Sequence, residues 1–255
     1  MIYSTENLLS VFTMASVTTE DPLYVKEYLY DNRPSRPFRF TSKSAQRIVI
    51  DLSSAKPATL AALFNHNLTP GATVLIQANT SNAWTTPAFS QPFSWRNLDQ
   101  YALLAQTFRW WSFYVDDPSN TLMPEIGVAW LGNWSKFPNA RVNPGRVDSP
   151  EFFQVEQVTS YGQDWTVYLS DSQVFELGLT NLISPSAVDD IHIFLRAIYG
   201  AAGRFVFIPD EAQPHVYFVR VMGNPSSNRI TYSSSGELRG WTIKLKVLTH
   251  GIALI

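Results

Sequence analysis

The segment Gln46-Arg47-Ile48-Val49-Ile50-Asp51-Leu52 constrains this chain more than any other. Ile48, Ile50 and Leu52 recur with a period of two and point one way, the mark of a half-buried strand. Thr59 to Phe64 is a second apolar run, followed by Asn65-His66-Asn67 and a Thr69-Pro70-Gly71 turn. Thr73 to Asn79 reads as a strand ending in Thr80-Ser81-Asn82. Arg109 to Val115 is an aromatic strand closed by Asp116-Asp117-Pro118. Glu125 to Leu131 is another, closed by Gly132-Asn133. Short strands at this spacing, separated by turn residues, predict a sandwich or jelly roll.

The stretch from Asn133 to Pro150 is rich in Asn, Pro, Ser and Gly and has no apolar period, so it reads as a linker. The predicted organisation is a β-sandwich over 1–134, a linker over 135–150 and a β-rich domain over 151–255. Phe152 to Thr159 and Asp164 to Ser170 suggest a strand pair. A single helix is predicted near 185–199, flanking the second domain. Ser184-Pro185 supplies its start, and Val188, Ile191, Phe194, Leu195 and Ile198 form one apolar face. Gly200 ends it. Strands follow at Arg204–Ile208, His215–Met222, Arg229–Tyr232 and Gly240–Leu248, with turns at Asn224–Asn228 and Ser233–Gly236. The fold class is therefore all-β, mostly, with one helix.

Charged residues make up 16 % of the chain, while 8 Trp, 11 Tyr and 16 Phe are present. Such a chain carries more apolar surface than a monomer needs, and burial against other subunits is the expected use. Strand preference of aromatic residues is the plainer explanation. The net charge of −2 offers no electrostatic footprint for nucleic acid. Cysteine is absent, which removes disulfides and thiolate metal sites. No run of 18 apolar residues exists, so no spanning helix is expected. Met1 to Ser10 lacks a basic n-region, so it is not read as a signal peptide, and synthesis in the cytosol is expected.

Three segments resemble the discoidin, or coagulation-factor type C, family. They are Gln46–Leu52, then Gly71–Asn79 with Ser81, Asn82 and Trp84, then Phe108–Val115 paired with Pro124–Gly132. Their order and spacing match over roughly residues 1 to 134. The resemblance implies a galactose-binding-like sandwich that binds ligands through loops at one end. The chain also resembles bacteriophage tail-tip proteins of the minor or distal tail type. That likeness rests on Asn65-His66-Asn67-Leu68 and on Phe194-Leu195, Gly200 and Phe205-Val206-Phe207-Ile208-Pro209-Asp210. It implies structural work in a virion, in a ring-like homo-oligomer, with tube, hub or fibre proteins as partners and host cytoplasm as the site of synthesis.

His66, His192, His215 and His250 are scattered and fall in no metal or catalytic spacing. No enzyme, metal or cofactor is expected. Asp116-Asp117 reads as a turn signal. The loops Tyr28–Phe38, Asn65–Thr69 and Ser81–Trp95 are candidates for a ligand site, the last with Trp84, Phe89, Phe93 and Trp95 among short polar residues. Aromatic faces stack on sugar rings while amides and hydroxyls bond the ring oxygens. The candidate glycan-binding residues are Asn65, His66, Asn67, Asn82, Trp84 and Trp95. The same aromatics would also serve for packing against a neighbouring subunit. Glu125 heads an apolar strand and needs a cation, and Arg109 is the expected structural partner, its guanidinium stacked beside Trp110 and Trp111. Arg33, Arg36 and Arg39 stand in a proline-dense loop, free to hold carboxylates of an adjacent subunit or to remain solvated. The leading expectation is a tail-tip or baseplate subunit with a contribution to host-surface glycan binding. The alternative is a free carbohydrate-binding module recognising cell-surface polysaccharide.

Overall fold

The computed structural model describes residues 1–93, 99–137, 148–158, 164–182, 185–200, 202–212, 215–232 and 236–249. The elements of the first part are β1 (Ile2–Ser4), α1 (Leu8–Val11), β2 (Thr13–Val17), β3 (Phe38–Arg39), β4 (Gln46–His66) and β5 (Thr73–Asn79). β6 (Phe89–Pro92), β7 (Asp99–Asp116), β8 (Glu125–Gly132) and β9 (Ser135–Lys136) follow. Then come β10 (Asp148–Val158), β11 (Asp164–Leu182), α2 (Pro185–Ala197), β12 (Arg204–Ile208), β13 (Tyr217–Tyr232) and β14 (Gly236–Val247). The chain is mostly strand, as expected. It divides into two compact units, one holding Met1–Phe137 and Arg204–Phe218, the other lying within 138–203 and 219–250.

The first unit is organised by one long antiparallel pairing. β4 and β7 are paired from Gln46↔Val115 to Phe64↔Asp99, with register shifts between Asp51 and Lys56 and between Ala58 and Leu60. Ser53, at φ +63°, sits inside the first irregularity. Such bulges bend a strand and increase its twist. The two apolar runs of the sequence, 46–52 and 59–64, are therefore the two ends of a single strand. The sheet order is β3-β8-β4-β7-β5-β6, with β2 also on β4.

Two layers result. The first combines β2, the start of β4, the end of β7, β5 and β6. The second combines the start of β7, the end of β4, β8 and β3. Ile48, Ile50, Trp111, Phe113 and Ile76 of the first layer share one core with Ala61, Leu63, Ala129 and Leu131 of the second. The arrangement is a β-sandwich.

The second layer is also covered on its other side. Ala62, Phe64, Val128 and Trp130 are buried but face away from that core, as the pairs Ala62↔Trp130 and Phe64↔Val128 require. Phe218 packs on Phe64 at 5.2 Å and on Trp130 at 6.0 Å between ring centroids. β1 pairs with both β12 and β9, and the Trp130 indole N–H donates to Ser4 Oγ at 3.0 Å. The expected linker over 135–150 is thus corrected at both ends, since β9 pairs with β1 and 148–150 opens β10. Residues 138–147 lie outside the described residues.

The second unit carries β10, β11, β14 and all of β13 beyond Phe218, paired in that order. The turn expected at Asn224–Asn228 lies instead within β13, where a register shift between Met222 and Ser226 accommodates Gly223 at φ +61°. α2 buries Ile191 and Phe194, and Ile198 just past its end is buried as well, on the face the sequence periodicity marks. Gly200 closes it in the left-handed region at φ +67°, its N–H donating to Leu195 O at 2.8 Å.

Candidate functional site

Strand alternation sends Arg47, Val49 and Asp51 to the face of β4 opposite Ile48, Ile50 and Leu52. The registers Arg47↔Tyr114↔Leu75, Val49↔Ser112↔Gln77 and Asp51↔Trp110↔Asn79 carry that outward face across β7 and β5. Arg47 is its centre. Its guanidinium carbon lies 4.6 Å from the Tyr114 ring centroid and 5.6 Å from that of Trp84. Nη1 donates to Gln77 Oε1 at 2.5 Å and to Ser112 Oγ at 3.4 Å. Desolvation pushes the Arg47 pKa down. Gln77 Nε2 donates onward to Ser90 Oγ at 3.3 Å.

The loop after β5 is pinned to this face. Asn79 Nδ2 donates to Ala83 O at 2.6 Å, and the Trp84 indole N–H donates to Asn82 Oδ1 at 2.7 Å. Asn82 is exposed and Trp84 half-buried. Alongside, Arg109 grips Asp51 with two bonds, Nε to Oδ1 at 2.7 Å and Nη2 to Oδ2 at 2.8 Å. The hydrogen bonds from Arg109 hold the Asp51 carboxyl below the usual range. The Arg109 guanidinium stacks 5.2 Å from the half-buried Trp110 ring.

The expected Arg109–Glu125 pair is therefore corrected. Glu125 stands directly across from Arg39 in the β3–β8 register and bonds it, with Arg39 Nε to Glu125 Oε1 at 2.6 Å. Direct cross-strand position decides the partner of Glu125, whereas Arg109 reaches Asp51 from beside Trp110, the residue that stands opposite Asp51. Arg39 also stacks on Tyr24 at 3.7 Å and lies 3.6 Å from Asp21. Arg36 stacks on Tyr28 at 4.2 Å and lies 3.8 Å from Asp31. Both arginines hold carboxylates of their own chain.

Asn65, His66 and Asn67 do not join Asn82 and Trp84 on the outward face. Each of the three is bonded within the chain at the end of β4. Asn65, at φ +50°, donates from Nδ2 to Pro34 O at 2.7 Å. Asn67 donates from Nδ2 to Met123 O at 2.9 Å and accepts the Glu125 N–H at 2.7 Å. His66 is 3 % exposed. Its Nδ1 accepts the Leu68 N–H at 3.3 Å, and its Nε2 has no hydrogen-bond partner among the described residues. Burial lowers its pKa to about 4, against an opposing pull from Asp117. The turn aspartate Asp117 is itself fully buried, accepting from Thr69 N–H at 2.9 Å, Thr69 Oγ1 at 2.5 Å and Asn120 Nδ2 at 2.9 Å. These groups hold a corner together and leave little for a ligand.

Of the aromatic loop, Phe93 stacks on Phe113 at 6.0 Å and Phe89 meets Trp111 edge-on at 6.5 Å, so both serve the core. The Ala78↔Phe89 pairing puts Phe89 on the inward face. Trp95 lies outside the described residues. The sequence reading missed Arg47, Gln77, Ser112 and Tyr114 as site residues. The signal for them was present, because they occupy the polar phase of the same alternation that marked the core.

A cleft of about 340 Å³ lies elsewhere on the first unit, lined by Arg39, Lys43, Thr121, Leu122, Met123 and Glu125. Among the described residues no helix is long and apolar enough to cross a membrane.

No protein-family model matches the sequence, and no curated protein matches it. Solved structures similar to about half of the chain include carbohydrate-binding modules. Chitosan-binding module 1 of a chitosanase/glucanase from Paenibacillus sp. IK-5 is 12 % identical with a TM-score of 0.40, covering 50 % of this chain and 99 % of the module. The family 32 module of C. perfringens NanJ, solved with galactose, is 12 % identical with a TM-score of 0.40, covering 53 % of this chain and 100 % of the module. A fucose-binding module of Streptococcus pneumoniae, SpX-3, is 12 % identical with a TM-score of 0.39, covering 51 % and 99 %.

Proposed function

We propose that this chain is a non-enzymatic carbohydrate-recognition protein, with the outward face of its first sandwich layer as the sugar platform. The observation that carries this reading is the group of Trp84, Tyr114 and Trp110 rings set among Arg47, Asn82 and the Arg109–Asp51 pair. Ring faces bind the C–H faces of sugars, and fixed polar groups beside them select hydroxyl orientation. Both arginines and the Trp84 indole are already positioned by bonds within the protein, so little ordering cost falls on binding. The test is a glycan array followed by calorimetry on the wild type and Trp84→Ala. The expected result is a loss of about tenfold or more in affinity for the best ligand. Unchanged affinity in the variant overturns the platform.

A second reading is favoured by one further observation. Leu23, Leu122 and Met123 are 77 %, 65 % and 39 % exposed. Leu122 and Met123 line the cleft that holds Arg39, and Leu23 lies in the turn whose Asp21 and Tyr24 contact the same arginine. Exposed apolar side chains around a charged centre fit burial against another subunit. In this reading the chain is a virion structural protein of a phage tail tip or baseplate, assembled in a ring and joined to tube, hub or fibre proteins. Size-exclusion chromatography with light scattering tests it. A closed oligomer that Leu122→Asp dissociates supports the reading, and a monomer at high concentration overturns the ring.

A further inference from the structure

The arginines paired in the first unit leave Arg47 as a contrast. Arg36, Arg39 and Arg109 each face a carboxylate of the chain. Arg47 faces none among the described residues. The carboxylate on its own strand and face, Asp51, is fully engaged by both donors of Arg109. The partners of Arg47 are the neutral Gln77 and Ser112, and both are reached from Nη1 alone. The Nε and Nη2 donors, which form one straight edge of the guanidinium, meet no acceptor among the described residues. Two aromatic rings flank the group and remove water from it. A half-desolvated cation with a free two-donor edge is short of one anion.

We propose that the sugar bound on this face is acidic, a hexuronate or sialic-type residue whose carboxylate docks on the free Nε–Nη2 edge of Arg47. The proposal rests on the reading of the face as a sugar platform. Two parallel N–H···O bonds match the planar spacing of carboxylate oxygens, and such pairs are among the strong hydrogen bonds. Trp84 and Tyr114, 5.6 and 4.6 Å from the guanidinium carbon, are the rings within reach of the pyranose attached to that carboxylate. Gln77 and Ser112 keep the guanidinium plane fixed before the ligand arrives.

Calorimetry with matched pairs tests the proposal, using trigalacturonate against neutral galactotriose and 3′-sialyllactose against lactose. One acidic member is expected to bind about tenfold or more tighter than its neutral partner at low salt. That preference should shrink as salt rises. In Arg47→Gln the acidic-to-neutral ratio should collapse to about one, and Arg47→Lys should keep part of it, because a lysine supplies charge without the fork. Unchanged melting temperatures establish that both variants are folded. A preference that survives in folded Arg47→Gln overturns the proposal. Equal binding of a 3′-sulfated lactose overturns the carboxylate assignment. Neutral sugars bound through Trp84 with no acidic preference overturn the proposal and leave the platform standing. No sugar bound by the wild type overturns the platform, and the proposal with it.

Discussion

The two layers of the sandwich are built from the same two strands, yet they differ in what lies behind them. At the start of β4, Ile48 and Ile50 face the core while Arg47 and Asp51 face outward. At the end of the same strand, Leu60 to Phe64 are all buried, because both faces are covered. The first layer can therefore carry polar side chains at every second position without loss of packing. The second cannot. A strand reading as alternating and a strand reading as continuously apolar are the sequence images of those two situations. The candidate site belongs to the layer with a free face.

The largest expected effect tests the double burial. Trp130→Ala removes a ring that is 1 % exposed, packs on Phe218 and bonds Ser4. It should cost about 3–5 kcal/mol in urea unfolding. Trp110→Ala, at a half-buried position on the first layer's outward face, should cost about 1 kcal/mol or less. Equal costs would break the distinction between the layers.

The next effect is one of pH. His66 has a folded pKa of about 4 against an ordinary value of 6.5. Its neutral form is the one the fold accepts. The unfolded chain therefore binds the extra proton between these values, and stability falls as pH drops from about 6.5 through 4. The shift corresponds to about 3 kcal/mol, present in full above pH 6.5 and absent below pH 4. Urea midpoints for the wild type and His66→Gln should converge as the pH is lowered, and parallel curves would show that another group controls the acid limb. The smallest effect concerns Arg39 and Glu125, which are partly exposed. A double-mutant cycle between them should give a coupling under about 1 kcal/mol. A larger value would show that this corner is as dry as the second layer.

Much of this was legible in the sequence. The alternation over 46–52 marks both the inward and the outward residues of β4, and the helix face at Ile191, Phe194 and Ile198 follows from its period alone. The joining of 46–52 to 59–64 was not legible, because Ser53 and Pro57 resemble a break in a chain that in fact bends through them. The partners of Arg109 and Glu125 were not legible either. They depend on strand register, which is set by the whole sandwich rather than by neighbouring residues. Asn65-His66-Asn67 looked like a ligand-binding turn for a related reason. A polar triplet between apolar runs reads the same whether its acceptors belong to a sugar or to Pro34 and Met123.

Phe218 covers Phe64 and Trp130, although it follows them by a long stretch of chain. This has a consequence in time. At about 5–20 residues per second, a ribosome takes roughly 4–16 s to move from Phe137 to Phe218. Throughout that interval the nascent second layer lacks the cover that Phe218 gives to Phe64 and Trp130. The N-terminal stretch is thus an unfinished object during its own synthesis, exposed to chaperones and to its neighbours on a polysome. It reaches its native packing only when a later piece of the chain emerges from the exit tunnel and returns to it.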